Sequence, residues 1–138
     1  MSHNISWDNE DQTVVLQEYT EGASKDDLYY LAQKSAEMLK TVDHTVHLII
    51  DERKISLLLT SADMRYLEKH TPTNQGAVVV IAQRSKQKYK TAAQDMNRRF
   101  APNAFGEPYF AETPEQARQF LQDNFEVRYP SQTSDEKS

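Results

Sequence analysis

The chain has 138 residues, of which 38% are apolar and 27% are charged, and this length suits one domain with a sizeable core. It contains no cysteine, which excludes disulfides, thiolate metal sites and cysteine nucleophiles. The net charge of −5 argues against a nucleic-acid partner. No apolar run reaches the ~18 residues that a membrane span needs, and the first ten residues lack the apolar segment of a signal peptide. We therefore expect a cytoplasmic protein.

The charges are unevenly distributed along the chain. Residues 1–27 carry seven acidic side chains and one basic one, whereas residues 84–99 carry six basic side chains and one acidic one. Lys86 and Lys90 lie four residues apart in a predicted helix, so they share one helix face. That face is either a candidate site for an anion or an acidic partner, or simply the solvated side of the helix.

The first part of the chain is typical of a hairpin followed by a helix. Ile5 and Trp7 alternate with polar residues, and residues 13–20 alternate again as a strand after a polar turn. Ser24 has the chemistry of a helix N-cap. Apolar residues at helical spacing then continue to about residue 41.

Two further strand–helix pairs follow. Residues 45–51 are apolar on both faces, which is typical of a central strand. Thr60 or Ser61 caps the next helix, which ends before a Thr-Pro pair. Residues 76–82 form a third apolar strand, and apolar residues at helical spacing predict a helix over residues 85–100.

The last elements are a short strand and a helix. Residues 108–111 are predicted as an edge strand, and Thr113 opens a helix with proline at its first position. Residues 126–138 are polar and lack an apolar period, so they are predicted to be a disordered tail behind a single domain of residues 1–125. The order β-β-α-β-α-β-α-β-α predicts an α/β fold with a mixed, mostly parallel sheet of about five strands and four helices.

Four segments of these elements share a recognisable pattern. They are Ile-Ser-Trp-Asp at 5–8, Asp-His-x-Val-x-Leu-Ile-Ile-Asp at 43–51, Gly-x-Val-Val-Val at 76–80 and Thr-x-Glu-x-Ala at 113–117. Together with the order of elements, the pattern resembles the STAS fold of the SpoIIAA-like, or anti-sigma-factor antagonist, group over about residues 4–122. The resemblance implies a small stand-alone bacterial protein that regulates a protein partner. Other members with a similar sheet are thought to bind apolar or lipid-like ligands.

Signalling members of that group carry a phosphorylatable serine, in a motif like Asp-Ser-Ser-Gly, at the start of the helix after the central strand. The corresponding residues 58–63 read Leu-Leu-Thr-Ser-Ala-Asp, which keeps the hydroxyls but lacks the preceding acid and the glycine. The resemblance implies Ser61, with Thr60 as runner-up, as the candidate phosphoacceptor. Without it, both are ordinary N-cap residue types.

The segment that follows the central strand is a candidate partner or ligand surface. Ligands of open α/β sheets bind beyond the carboxyl ends of the strands, which is where this segment is predicted to lie. It begins with charged side chains and continues as an apolar run, which either folds back into the core or exposes a sticky surface. The candidate residues are Asp51, Arg53, Lys54, Ile55, Leu57 and Leu58.

Sequence signatures of catalysis are missing. The chain has three glycines and neither a glycine-rich phosphate loop nor a Gly-x-Ser-x-Gly elbow. His44 and His47 are predicted on opposite faces of a strand, where they cannot share a metal ion. We therefore expect a non-enzymatic regulatory or protein-interaction module without cofactor or metal, the alternative being a protein that binds an apolar ligand or lipid between sheet and helices.

The opening hairpin also predicts self-association. It leaves a sheet edge, and the apolar side chains of Ile5 and Trp7 need cover. We therefore expect a homodimer that forms through the N-terminal hairpin.

Overall fold

The computed structural model describes residues 3–55, 59–83, 98–104 and 108–129 of the chain. These residues form a five-stranded mixed sheet with helices packed against it, which confirms the predicted α/β class and mixed sheet. The strands are β1 (His3–Trp7), β2 (Val14–Tyr19), β3 (Val46–Asp51), β4 (Gln75–Ile81) and β5 (Tyr109–Ala111), and the helices are α1 (Lys25–Leu39), α2 (Ser61–Lys69) and α3 (Pro114–Phe125).

The helix predicted between β4 and β5 is described only at its end. Residues 98–100 are helical, as predicted. Residues 84–97 lie outside the described residues, and with them lie the candidate anion-facing residues Lys86 and Lys90.

The strands lie side by side in the order in which they occur along the chain. β1 is antiparallel to β2, whereas β2, β3, β4 and β5 are parallel to their neighbours. When each new parallel strand is placed on the same side of the previous one, and all crossovers have the same handedness, every crossover segment lies on the same face of the sheet. α1 and α2 do pack on one face, and α3, which follows the last strand, packs on the other.

The face that α1 and α2 cover, the crossover face, holds the larger apolar cluster. Leu31 and Leu39 of α1 are fully buried, and fully burying such a side chain contributes about 1.5–3 kcal/mol. One buried polar pair crosses this layer, because the Gln17 side-chain amide donates to the Ser35 hydroxyl at 2.6 Å. The strand residues of the cluster are Val15, Tyr19, Val46, Leu48, Ile50, Val78 and Val80.

The opposite face is covered by α3 and by the chain that follows it. Ala117 and Leu121 of α3 are fully buried against β2, β3 and β4. Val127 and Tyr129 are buried in the same cluster, so the prediction of a disordered tail from residue 126 is wrong for residues 126–129. Val127 and Tyr129 are two apolar side chains, two residues apart, within a segment that is otherwise polar. Residues 130–138 lie outside the described residues.

The described helices begin at the predicted N-cap residues. The Ser24 backbone N–H donates to the Asp27 carboxylate at 2.8 Å at the start of α1. At the start of α3, the Thr113 hydroxyl accepts from the Gln116 N–H at 3.1 Å. These bonds satisfy backbone and side-chain groups that the helix ladder leaves unpaired.

Candidate functional site

The candidate surface begins at the carboxyl end of β3, where Asp51 and Arg53 form an ion pair. The Arg53 guanidinium donates to both carboxylate oxygens, with Nε–Oδ1 at 3.0 Å and Nη2–Oδ2 at 2.8 Å. The hydrogen bond to Asp51 raises the pKa of Arg53. Asp51 is only 6% exposed, which corrects the expectation that it is itself part of a surface. A buried carboxylate needs a partner, and Asp51 contributes to the surface by holding Arg53 in place.

The loop after Arg53 is described in part. Lys54 is exposed. Ile55 and Leu59 are half-buried and pack against the apolar cluster of the crossover face, so these two members of the apolar run fold back towards the core. Leu57 and Leu58 lie outside the described residues.

Thr60 and Ser61 have different roles at the start of α2. Thr60 is the N-cap, because its hydroxyl accepts from the Asp63 N–H at 3.1 Å and its own N–H donates to the Asp63 carboxylate at 2.9 Å. Ser61 is the first helical residue and is half-buried. Its hydroxyl makes no hydrogen bond within the described part of the chain. The capping function is therefore complete without Ser61.

Asp63 fastens the start of α2 to α1. Its carboxylate accepts from Lys25 Nζ at 2.6 Å, from the Tyr29 hydroxyl and from the Thr60 backbone N–H. These hydrogen bonds, above all the one from Lys25, hold the pKa of Asp63 well below its usual range, and the bond to Asp63 raises the pKa of Tyr29. Asp63 is 4% exposed, so a carboxylate is buried with its charge fully partnered.

Aromatic contacts continue the interface between α1 and α2. The rings of Tyr29 and Tyr66 meet edge to face with their centroids 4.6 Å apart. The Gln33 side-chain amide donates to the Tyr66 hydroxyl at 2.9 Å. These contacts hold α2 in a fixed orientation on α1. They therefore also fix which side of α2 points away from the sheet.

The outward side of α2 carries a stripe of one hydroxyl and two cations. Ser61, Arg65 and Lys69 are spaced four residues apart, which places them on one helix face, and we call them the α2 stripe. Arg65 and Lys69 are exposed. The Arg65 guanidinium lies over the Phe100 ring at 4.9 Å from its centroid. Within the described part of the chain neither cation forms an ion pair with a carboxylate.

Glu68, the acidic residue nearest to the stripe in the sequence, is engaged elsewhere. Its carboxylate accepts from the backbone N–H groups of Asn103 and Ala104 at 2.8 and 2.9 Å, and from the Asn103 side-chain amide at 2.6 Å. The positive charge of Arg65 and Lys69 is therefore presented without a carboxylate from their own helix. The sequence interpretation missed this stripe, although its regular spacing was visible.

The comparisons with known proteins leave the site to be interpreted from its own geometry. Family models, curated proteins and solved structures give no match to this chain. Among the described residues, no group of three or more histidine and carboxylate side chains is arranged to hold a metal ion. No helix in the described ranges combines the length and the apolar character that crossing a membrane requires.

Proposed function

We propose that this chain is a non-enzymatic regulatory module that binds an acidic protein partner through the α2 stripe, with Ser61 as a phosphoacceptor that controls the binding. The observation that carries the proposal is the Ser61 hydroxyl at the first residue of α2, which has no hydrogen-bond partner among the described residues. Thr60 already caps the helix, so the fold does not require a hydroxyl at Ser61.

A phosphate on Ser61 would meet favourable charges. The first N–H groups of a helix have no intrahelical partner and carry the positive end of the helix dipole. Arg65 lies one turn further along the same face and is in reach of a charge-assisted hydrogen bond to a phosphate. Asp63, two residues further along α2, already has its charge balanced by Lys25.

The same phosphate would change the charge of the α2 stripe. Unmodified, the stripe presents two cations, which complement an acidic surface of a partner. A phosphoserine adds about −1.5 to −2 charge at neutral pH, which cancels most of that positive charge. Phosphorylation is therefore expected to release the partner.

The SpoIIAA-like resemblance supports the same site. That group has its phosphoacceptor at the start of the helix after the central strand, and Ser61 is the first residue of the helix that follows β3. The strand order along the sheet, with α1 and α2 on one face, is compatible with a STAS-like domain. We propose that membership on these grounds.

Affinity capture with matched variants tests the proposal. The baits are the wild-type chain, Ser61→Ala, Ser61→Asp and Arg65→Glu, and the prey is a lysate of the source cells with quantitative mass spectrometry as readout. We expect a protein that wild type and Ser61→Ala retain and that the two acidic variants lose. Thr113→Asp is the control, because it adds the same charge at the N-cap of α3 on the opposite face. Retention of the same proteins by all five baits would contradict the proposal.

A further inference from the structure

Strand β1 is an outer edge of the sheet, and one hydrogen bond shows which of its backbone groups point away from the sheet. Asp8, which directly follows β1, donates its N–H to the Val14 carbonyl of β2 at 2.8 Å. Successive residues of an antiparallel strand point their backbone groups alternately towards and away from the partner strand. The backbone N–H and C=O groups of the even-numbered residues of β1 therefore point towards β2, and those of the odd-numbered residues point away from it. The residues whose backbone groups point away from the sheet are His3, Ile5 and Trp7.

This edge lacks the features that normally prevent strand pairing. Residues 3–7 contain no proline, and His3 is their only titratable side chain. Within the described part of the chain, the outward backbone groups of β1 have no hydrogen-bond partner. The other edge strand, β5, has only three residues and directly follows Pro108. A short edge strand and a proline at the edge both prevent pairing with another strand. In the described part of the chain, the β5 edge is therefore protected and the β1 edge is open.

We infer that a second copy of this chain pairs with the open edge, β1 against β1, antiparallel and centred on Ile5. In that register Ile5 lies opposite Ile5 of the second copy, and His3 lies opposite Trp7. On the other face of the strand, Asn4 lies opposite Ser6. Apolar or aromatic side chains thus meet each other, polar ones meet each other, and the outward backbone groups form about six hydrogen bonds. The strand is complementary to itself, which is what a two-fold interface requires.

An exposed aromatic side chain lies at the same edge. Tyr30 of α1 is 44% exposed, and its ring lies 4.8 Å from the His3 ring, centroid to centroid. His3 is held there by its Nδ1, which lies 2.6 Å from the Asp27 carboxylate. In the proposed register His3 and Tyr30 of one copy meet Trp7 of the other on the crossover face. The pairing therefore covers an aromatic surface that the single chain leaves open.

Two double variants at the exposed positions Asn4 and Ser6 test the register. In Asn4→Lys with Ser6→Lys, each new lysine lies opposite a lysine of the second copy. In Asn4→Lys with Ser6→Glu, each lysine lies opposite a glutamate instead. Both variants place a lysine opposite Glu18 of β2 within one chain and differ only at residue 6, which lies opposite the uncharged Leu16. Thermal unfolding at high dilution checks that the two variants fold equally well.

Sedimentation equilibrium over a range of concentrations is the readout. We expect wild type and the lysine–glutamate variant to form dimers, and the dilysine variant to dimerise with a dissociation constant about tenfold higher or more. Hydrogen exchange adds the location: the amides of Ile5 and Trp7 should gain protection as concentration rises, while that of Ser6 is protected throughout. A wild type that stays monomeric with exchanging Ile5 and Trp7 amides would overturn the inference. The inference would also be overturned if the chain formed no dimers and those amides gained protection only when a different protein was added.

Discussion

Lys25 of α1 and Asp63 of α2 form an ion pair across 38 residues of sequence, with Nζ and Oδ2 separated by 2.6 Å. The same carboxylate completes the capping box with Thr60, so one side chain both begins α2 and fastens it to α1. The orientation of the α2 stripe depends on this residue. A change at Asp63 should therefore affect stability and the candidate site together.

We expect Asp63→Asn to lower the free energy of unfolding by about 2 kcal/mol, because the amide loses the ionic bond to Lys25 and weakens the cap. Lys25→Met should cost less, about 1 kcal/mol, since the lysine is partly exposed and Tyr29 and Thr60 still donate to the carboxylate. Chemical denaturation measures both changes. A double variant that costs as much as the sum of the singles would show that the two residues are not coupled.

Acidification should remove the contribution of Asp63. The pKa of Asp63 is lowered in the folded state, so its stabilising effect is complete above the unfolded value of about 3.9 and is lost as pH falls towards the folded value. The difference in unfolding free energy between wild type and Asp63→Asn should therefore shrink below about pH 4. A difference that stays constant down to the acid transition would contradict the partnered carboxylate.

The segment after α3 should contribute to stability through Tyr129. Its hydroxyl donates to the Asp8 carboxylate at 2.7 Å, and Arg118 donates to the same carboxylate at 2.9 and 3.0 Å. We expect Tyr129→Phe to cost about 1 kcal/mol and Tyr129→Ala about 3 kcal/mol, because the second variant also loses buried aromatic area. Thermal or denaturant unfolding gives both numbers. Near-zero cost for Tyr129→Ala would mean that this segment does not pack.

His47 should make stability depend on pH in the near-neutral range. Its Nδ1 accepts the Ala77 N–H at 2.9 Å, so the ring is neutral in the fold, and burial lowers its pKa. A lowered histidine pKa means that stability is complete above the unfolded value of about 6.5 and declines as pH falls below it. We expect wild type to lose stability as pH falls below about 6.5, and His47→Asn to lose less. The exposed His44→Gln is the control and should follow wild type.

The local signals in the sequence predicted much of the fold. Thr113 was recognisable as a cap, and the cap of α2 was narrowed to Thr60 or Ser61, because capping depends on neighbours within four residues. The strands were recognisable by apolar runs and alternation, and the mixed sheet followed from the order of elements. The contacts that shape the site were not recognisable, because Asp63 and Lys25 meet only in the tertiary structure. Tyr129 was missed for the same reason, since its partner Asp8 lies 121 residues away.

The α2 stripe illustrates what a sequence interpretation leaves open. The spacing of Ser61, Arg65 and Lys69 predicts one face of a helix, but not whether that face is buried. The packing of Met64 and Leu67 into the crossover face decides it, because these residues turn the stripe outwards. Whether Ser61 or Thr60 caps the helix was likewise decided by the hydrogen bonds and not by residue type.

The affinity of the captured partner for the chain with phosphoserine installed at position 61, compared with the chain carrying Ser61, tests the central claim most directly. Isothermal titration calorimetry on the purified pair gives both dissociation constants. We expect the phosphoserine form to bind about tenfold more weakly or worse, which corresponds to a loss of about 1.4 kcal/mol or more, because the phosphate cancels the positive charge of Arg65 and Lys69. Equal affinities for the two forms would contradict the role of Ser61 as the controlling phosphoacceptor.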